Sequence, residues 1–397
     1  MELTDKNNLP RQPRKLIYHK NLQIILCVSL ISFLGIPSIT PAFPRLVREL
    51  GIPPQDAGLL IAVFTLPSFL LGPILGILAD LWGRKTILVP SLLLFGMAGT
   101  ACAFTDSFNF LLGMRFLQGV GAASLLSLSI TLIGDLYSGQ ELTSALGYQT
   151  GVIGAGTAFY PLIGGTLALI GWNYPFMLAF PAIPLGLIVA FSLKNLESKN
   201  PDNFRQYLNT AGTSLKDLPL LGIFVSTLAT FIIISGALII YLPILIEDAF
   251  QSSTLTIGLL LSTMFITVAL VSSQFSKLSK IFTEKKLVKA SFIIYALALV
   301  TIPSVAKLWQ ILIPIVVFGA ALGISLPSIQ NLLAEAAPSN RRATVIALNG
   351  TVLGLGQTIG PLILGIAFSW GGINAVFYLA AGVAVSALMI FGRCLDV

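Results

Sequence analysis

The chain has 397 residues, of which 55% are hydrophobic and only 10% charged, with a formal net charge of +7. Soluble domains carry about 25% charged residues, so a water-soluble protein of this length is excluded and a multi-spanning membrane protein is implied. The excess of positive charge is then a matter of membrane topology and does not point to a nucleic-acid surface.

Residues 1–20 are polar and basic, lack the apolar core and small-residue site of a cleavable leader, and read as a cytoplasmic tail. At about 20 apolar residues per span, twelve spans are predicted. They fall near 21–43, 57–79, 86–104, 109–134, 143–170, 174–193, 218–245, 255–275, 287–305, 310–334, 343–368 and 374–392. With the amino terminus inside, nineteen Lys and Arg residues lie in cytoplasmic segments and three (Arg45, Arg48, Lys307) outside, with Arg115 within a span. That bias predicts an N-in/C-in, all-α membrane protein. Residues 21–194 are expected to form one six-helix bundle, 195–217 a polar cytoplasmic linker and 218–397 a second six-helix bundle. The bundles repeat at an offset of 200. It relates Gly119 to Gly319, Asp135 to Glu335, Gly156 to Gly356, Pro161 to Pro361 and Gly165 to Gly365. It also sets Ser276, Leu278, Lys280 and Lys285 against Gly76, Leu78, Asp80 and Lys85.

Between the second and third spans stand Gly76, Leu78-Ala79-Asp80, Gly83-Arg84-Lys85 and Leu88. An apolar run stops at an acid, turns on a glycine and restarts behind two cations. This spacing resembles the loop 2–3 signature of the major facilitator superfamily of secondary transporters, departing at Leu81. The resemblance implies twelve helices in two six-helix repeats, with a solute path between them. It also implies that Asp80 joins a cytoplasmic gating network with Arg84, Lys85, Asp135 and the amino end of helix 11, after Pro338-Ser339-Asn340. A solvated helix end is the plainer alternative for Asp80. In the fourth span, Arg115 with Gln118, Gly119 and Gly121 resembles a family signature whose arginine is associated with proton transfer. An intramembrane arginine needs a partner or water, and snorkelling to the outer surface is the alternative. In the fifth span Gly147, Gly156, Pro161, Gly164 and Gly165 resemble the signature of the drug:proton antiporter branch, departing at Tyr160 where that branch has glycine. Helix 11 repeats the theme with Gly356, Gly360 and Pro361. Ordinary small-residue packing is the alternative for both.

No Asp or Glu falls in the middle of a predicted span, which leaves a proton carrier unassigned. Tyr160, Tyr241, Gln330 and Gln357 are candidates for contact with an amphipathic solute. The scattered Cys27, Cys102 and Cys394 and the single His19 offer neither a disulfide framework nor a metal site. Cys102 is placed near the outer surface and Cys394 at the inner one. No phosphate-binding G-x-x-x-x-G-K-[ST] loop is present, so neither nucleotide nor any cofactor is expected. The expected function is secondary transport in the inner (plasma) membrane: efflux of a small amphipathic or apolar organic compound in exchange for protons, by alternating access. The alternatives are uptake or exchange of an organic anion on Arg115, and a membrane enzyme or sensor without transport. The expected partners are a small-molecule substrate, protons and the bilayer.

Overall fold

A backbone surrounded by hydrocarbon finds no water to bond, so each spanning segment must satisfy its own peptide groups. Accordingly, the ordered elements among the described residues are all helical. The structure is a computed structural model and describes residues 16–193, 217–338 and 342–395. The expected linker, apart from Asp217, lies outside these residues, as do most of the tail and the expected helix 11 caps Ser339 and Asn340.

Before residue 194 the helices are α1 (Lys20–Ser32), α2 (Phe43–Leu50), α3 (Leu59–Trp82), α4 (Arg84–Ala101), α5 (Phe108–Ala122), α6 (Leu125–Leu136), α7 (Gly139–Ala168) and α8 (Ala182–Ser192). After residue 216 come α9 (Leu218–Ile232), α10 (Leu242–Phe250), α11 (Thr254–Ser273), α12 (Phe275–Leu278), α13 (Glu284–Thr301), α14 (Leu312–Ala336) and α15 (Arg342–Leu395). Among the described residues ten helices are long and apolar enough to cross a membrane, several of them joining two of these elements end to end.

Two departures from the predicted spans have visible causes. The first span, 21–43, is helical over α1 and then loosens through turns at 33–39, where Pro37 has no N–H to donate, before α2 resumes. The last two predicted spans run together in α15, which breaks at Gly371 and Gly372. Gly372 has φ 65°, a conformation that glycine adopts without steric cost. A third irregularity was not foreseen. Between α9 and α10 the chain is π-helical over Ile233–Tyr241. Pro243 follows directly, and its ring would crowd the Ile239 carbonyl in an α register, which a wider turn avoids.

The offset of 200 seen in the sequence reappears in the packing. A Cβ on Gly119 would overlap the Phe64 carbonyl of α3, and one on Gly319 would stand 2.7 Å from the Met264 carbonyl of α11. One further position keeps the offset with a shifted partner: Gln149 donates to Ser29 at 2.8 Å, and Asn349 accepts from Thr227 at 2.8 Å. The buried core is divided unequally. One apolar cluster runs through the helices after residue 216 and includes Phe43, Leu46, Leu60, Leu111 and Phe176 from the first set. The other is confined to the first set and holds Leu22, Leu88, Leu128, Leu132 and Val189. The two sets of helices therefore share a core at one end only.

Candidate functional site

The end where the sets part is marked by Gly83, which turns α3 directly into α4 at φ 93°. This tight turn holds Arg84 one helical turn beyond Asp80. The Arg84 guanidinium pairs with Asp80, and its Nε meets Asp135 Oδ2, at the end of α6, at 3.2 Å. Arg84 is buried and its two partners are partly so, with side-chain exposures of 17% and 31%. One cation thus ties the ends of three helices. Lys85, expected in the same cluster, is half-buried and joins no ion pair among the described residues. The expected contact of Asp80 with the amino end of helix 11 involves residues outside those described.

Arg115 lies deeper, on α5, with no solvent exposure at all. Its Nε donates to the Leu60 carbonyl at 3.3 Å and Nη1 to Gln118 Oε1 at 2.7 Å. The guanidinium lies over the Phe64 ring, 4.1 Å from its centroid, with Phe176 at 5.9 Å. Carbonyl, amide and ring faces share the charge; among the described residues no carboxylate pairs with it and Nη2 has no hydrogen-bond partner. Gly119, one turn on, lets α5 press against α3 closely enough to make the Leu60 bond possible. Snorkelling to the surface is ruled out for this conformation by that enclosure.

The seam between the two sets is built from the helix 5 and helix 11 glycines. On α7, positions 147, 151, 154, 158, 161 and 165 share one face at helical spacing. At its far end that face touches α11: a Cβ on Gly165 would stand 2.5 Å from the Thr254 carbonyl, and one on Gly258 would overlap the Pro161 carbonyl. Thr254 Oγ1 also donates to the Gly165 carbonyl at 2.9 Å. Toward the Gly83 end of the same face, Gly147, Gly151 and Gly154 face open space. The α3–α15 pair behaves alike. Thr65 and Thr358 share a hydrogen bond of 2.9 Å, a Cβ on Gly58 would lie 3.1 Å from the Pro361 carbonyl, and Gly354 approaches Phe69. Beyond these contacts Gly76 and Gly350 have nothing within 4 Å. At the far surface Arg48 pairs with Glu247 across the seam. Two pairs of helices are sealed at one end and diverge toward the other, leaving a cleft open at the Gly83 end.

The other glycines of the two signatures pack within a set. A Cβ on Gly164 would overlap the Ser38 carbonyl, one on Gly156 would meet Leu30, and those on Gly356 and Gly360 would crowd the Leu228 and Ile232 carbonyls. Of the four solute candidates, Tyr160 is buried and donates to the Leu30 carbonyl at 2.8 Å, inside the first set. Tyr241 is fully buried at the sealed end, stacked on Phe368 at 5.2 Å, with its hydroxyl unpartnered. Gln330 is exposed and Gln357 half-buried. Sequence reasoning missed the seam hydroxyls Thr65 and Thr358 and the Ser29–Gln149–Ser129 cluster, in which Gln149 bonds both serines. A hydroxyl in an apolar run carries no local pattern that says which neighbour it meets. Neither Cys102 nor Cys394 presents its thiol at a surface: Cys102 is fully buried, Cys394 is buried as well, and of the three cysteines only Cys27 is exposed.

The sequence profile of the Major Facilitator Superfamily matches residues 25–248 and 219–395. Quinolone resistance protein NorA of Staphylococcus aureus (strain COL) is 26% identical over 376 residues, covering 94% of this chain and 96% of that one. The bacillibactin exporter of Bacillus subtilis (strain 168) is 25% identical over 358 residues, covering 86% and 88%. Among solved structures, a bacterial homolog of the human lysosomal transporter Spinster, in an inward-facing and occupied conformation, matches with a TM-score of 0.80 at 17% identity, covering 98% of both chains.

Proposed function

The chain belongs to the Major Facilitator Superfamily, and from that premise we propose that this transporter exports a small amphipathic or apolar organic compound in exchange for protons. It works by alternating access between six-helix bundles at residues 21–194 and 218–397, joined by a cytoplasmic linker at 195–217. Twelve spans, N-in/C-in, in the inner (plasma) membrane complete the proposal. The two missing long helices have ready sources in α1 with its loosened extension and in α15 with its break at Gly371 and Gly372. Under this orientation the cleft opens to the cytoplasm, the side from which an exporter loads.

The observation that carries the proposal is the pair of helix faces, α7–α11 and α3–α15, sealed at one end and parted at the other. Rocking the bundles about those contacts exchanges the open end. The efflux direction draws on the relatives named for quinolone resistance and for bacillibactin export. No acid falls in the middle of a span, which favours a solute without a fixed positive charge. The competing idea, an organic anion held by Arg115, is disfavoured because the guanidinium is enclosed within the first set, away from the cleft. Purified protein in proteoliposomes tests the proposal. An imposed pH gradient should drive a lipophilic fluorescent solute against its own gradient, and a protonophore should abolish the movement. Solute flux that ignores the pH gradient would sink the proton coupling; flux of carboxylates in place of apolar compounds would sink the substrate class.

A further inference from the structure

A buried hydroxyl is tolerated where it finds an acceptor and is destabilising where it does not. Within a helix, serine and threonine meet that need locally, because their short side chains fold back on the carbonyl one turn earlier. Ser235 donates in this way to the Phe231 carbonyl. A tyrosine hydroxyl stands at the end of a rigid ring and must find its acceptor on another segment. Tyr160 reaches the Leu30 carbonyl and Tyr295 reaches Ser325. Tyr241 has no solvent exposure, yet among the described residues its hydroxyl has no partner. The ring itself stacks on Phe368 of α15 at 5.2 Å. That packing does not call for the hydroxyl.

The backbone over this hydroxyl belongs to the other set of helices. Tyr241 closes the π-helical stretch of the second set, and the turn Pro54–Gly58 of the first set lies against that stretch. The Gln55 carbonyl and the Tyr241 hydroxyl stand 3.3 and 3.4 Å from one point beside Gly365, where a Cβ would lie. Gly58, on the same turn, rests against the Pro361 carbonyl. Tyr241 is therefore covered by the α3–α15 seam at its sealed end. Closing the seams makes two hydrogen bonds, Thr65 to Thr358 and Thr254 to the Gly165 carbonyl. Over Tyr241 the same closure makes none and shuts a hydroxyl away from water.

We propose that Tyr241 is a counterweight in the outer gate: its hydroxyl destabilises the state sealed at the far end and so drives that end to open. Once Gln55 moves off with the first set, water reaches the hydroxyl and satisfies it, while the stack on Phe368 stays intact inside the second set. The inference rests on the rocking motion proposed above and adds to it a residue that sets how often the far end opens.

The test measures that opening directly. Ala57 is fully buried in the apolar cluster that holds Tyr241. Ala57→Cys, placed in full-length protein with Cys27→Ser, is expected to react with maleimide in detergent only when the far end parts. Tyr241→Phe should slow this labelling roughly tenfold, the scale of one unsatisfied buried hydroxyl, without lowering the melting temperature. Tyr295→Phe is the matched control: it removes a hydroxyl bonded within the second set, so the melting temperature should fall and the labelling rate of the folded fraction should stay as it was. Labelling that Tyr241→Phe leaves unchanged or accelerates would overturn the inference. So would a lowered melting temperature in that variant, or an equal slowing by Tyr295→Phe. Failure of Ala57→Cys to react at all with Tyr241 in place would instead refute the rocking motion, and the inference with it.

Discussion

Gly164 and Gly165 are adjacent on α7 but face different neighbours, which makes them a test of whether the seam is a moving surface. A Cβ on Gly165 would lie 2.5 Å from the Thr254 carbonyl across the seam, where ordinary contact begins at 3.4 Å, so α7 and α11 must part by about 0.9 Å. Overpacking of this kind costs about 1–3 kcal/mol. Since the seam separates two bodies, Gly165→Ala raises the energy of the state in which they touch there and leaves each body intact. At 1.4 kcal/mol per tenfold, the equilibrium shifts about ten- to a hundredfold away from the state open at the Gly83 end. Gly164→Ala instead drives its methyl into the Ser38 carbonyl within the first set. Its cost falls on folding. The assay places Gly151→Cys in the open cleft after Cys27→Ser removes the exposed native thiol. Maleimide labelling at Gly151→Cys should slow about tenfold or more with Gly165→Ala, at a nearly unchanged melting temperature. Gly164→Ala should lower the melting temperature and leave the labelling rate of the folded fraction alone. Equal loss of stability in both variants with unchanged labelling would refute the idea that the α7–α11 contact opens during transport.

Arg84→Gln leaves Asp80 and Asp135 without their shared cation; with both acids partly exposed, the expected loss is about 1–2 kcal/mol, read by thermal unfolding. Adding Asp135→Asn should recover part of it. Arg115→Lys is expected to keep part of the pH-driven flux, whereas Arg115→Gln should still bind apolar solutes yet lose the response to the pH gradient, measured in proteoliposomes. Maleimide treatment of the folded protein in detergent should give one adduct by mass spectrometry, on Cys27, because Cys102 and Cys394 are buried until the protein unfolds.

Composition and spacing made the large features legible in advance. Apolar runs gave the helices, because in hydrocarbon no other local structure satisfies the backbone. The short Gly83-Arg84-Lys85 turn gave the charge cluster, because its partners Asp80 and Asp135 both end helices at the same surface. Illegible were features decided by contacts between distant segments. Tyr160 looked like a solute contact and instead bonds Leu30, because its ring fits against Gly156 on the inner side of α7. Thr65 and Thr358 are 293 positions apart, and only the approach of α3 to α15 gives either a partner. The break in the first span follows from Pro37, a local signal that hydropathy alone overrode.

The two sets of helices repeat most faithfully where only packing is at stake and diverge where charge enters. Gly119 against Phe64 and Gly319 against Met264 keep the offset of 200 on both sides of the contact. Arg115 does not: the same offset leads to Ile315, buried and apolar. A guanidinium therefore occupies in one set the place that a hydrocarbon fills in the other, so helix packing does not by itself demand the charge. Keeping a cation there without a carboxylate costs free energy that carbonyl, amide and ring contacts only partly offset. The Arg84 cluster differs in the same sense, since the second set has Glu284 in place of its bridging cation. Repeat symmetry thus separates residues that hold the helices together from residues that do something further, and it selects Arg115 and Arg84 without reference to any ligand.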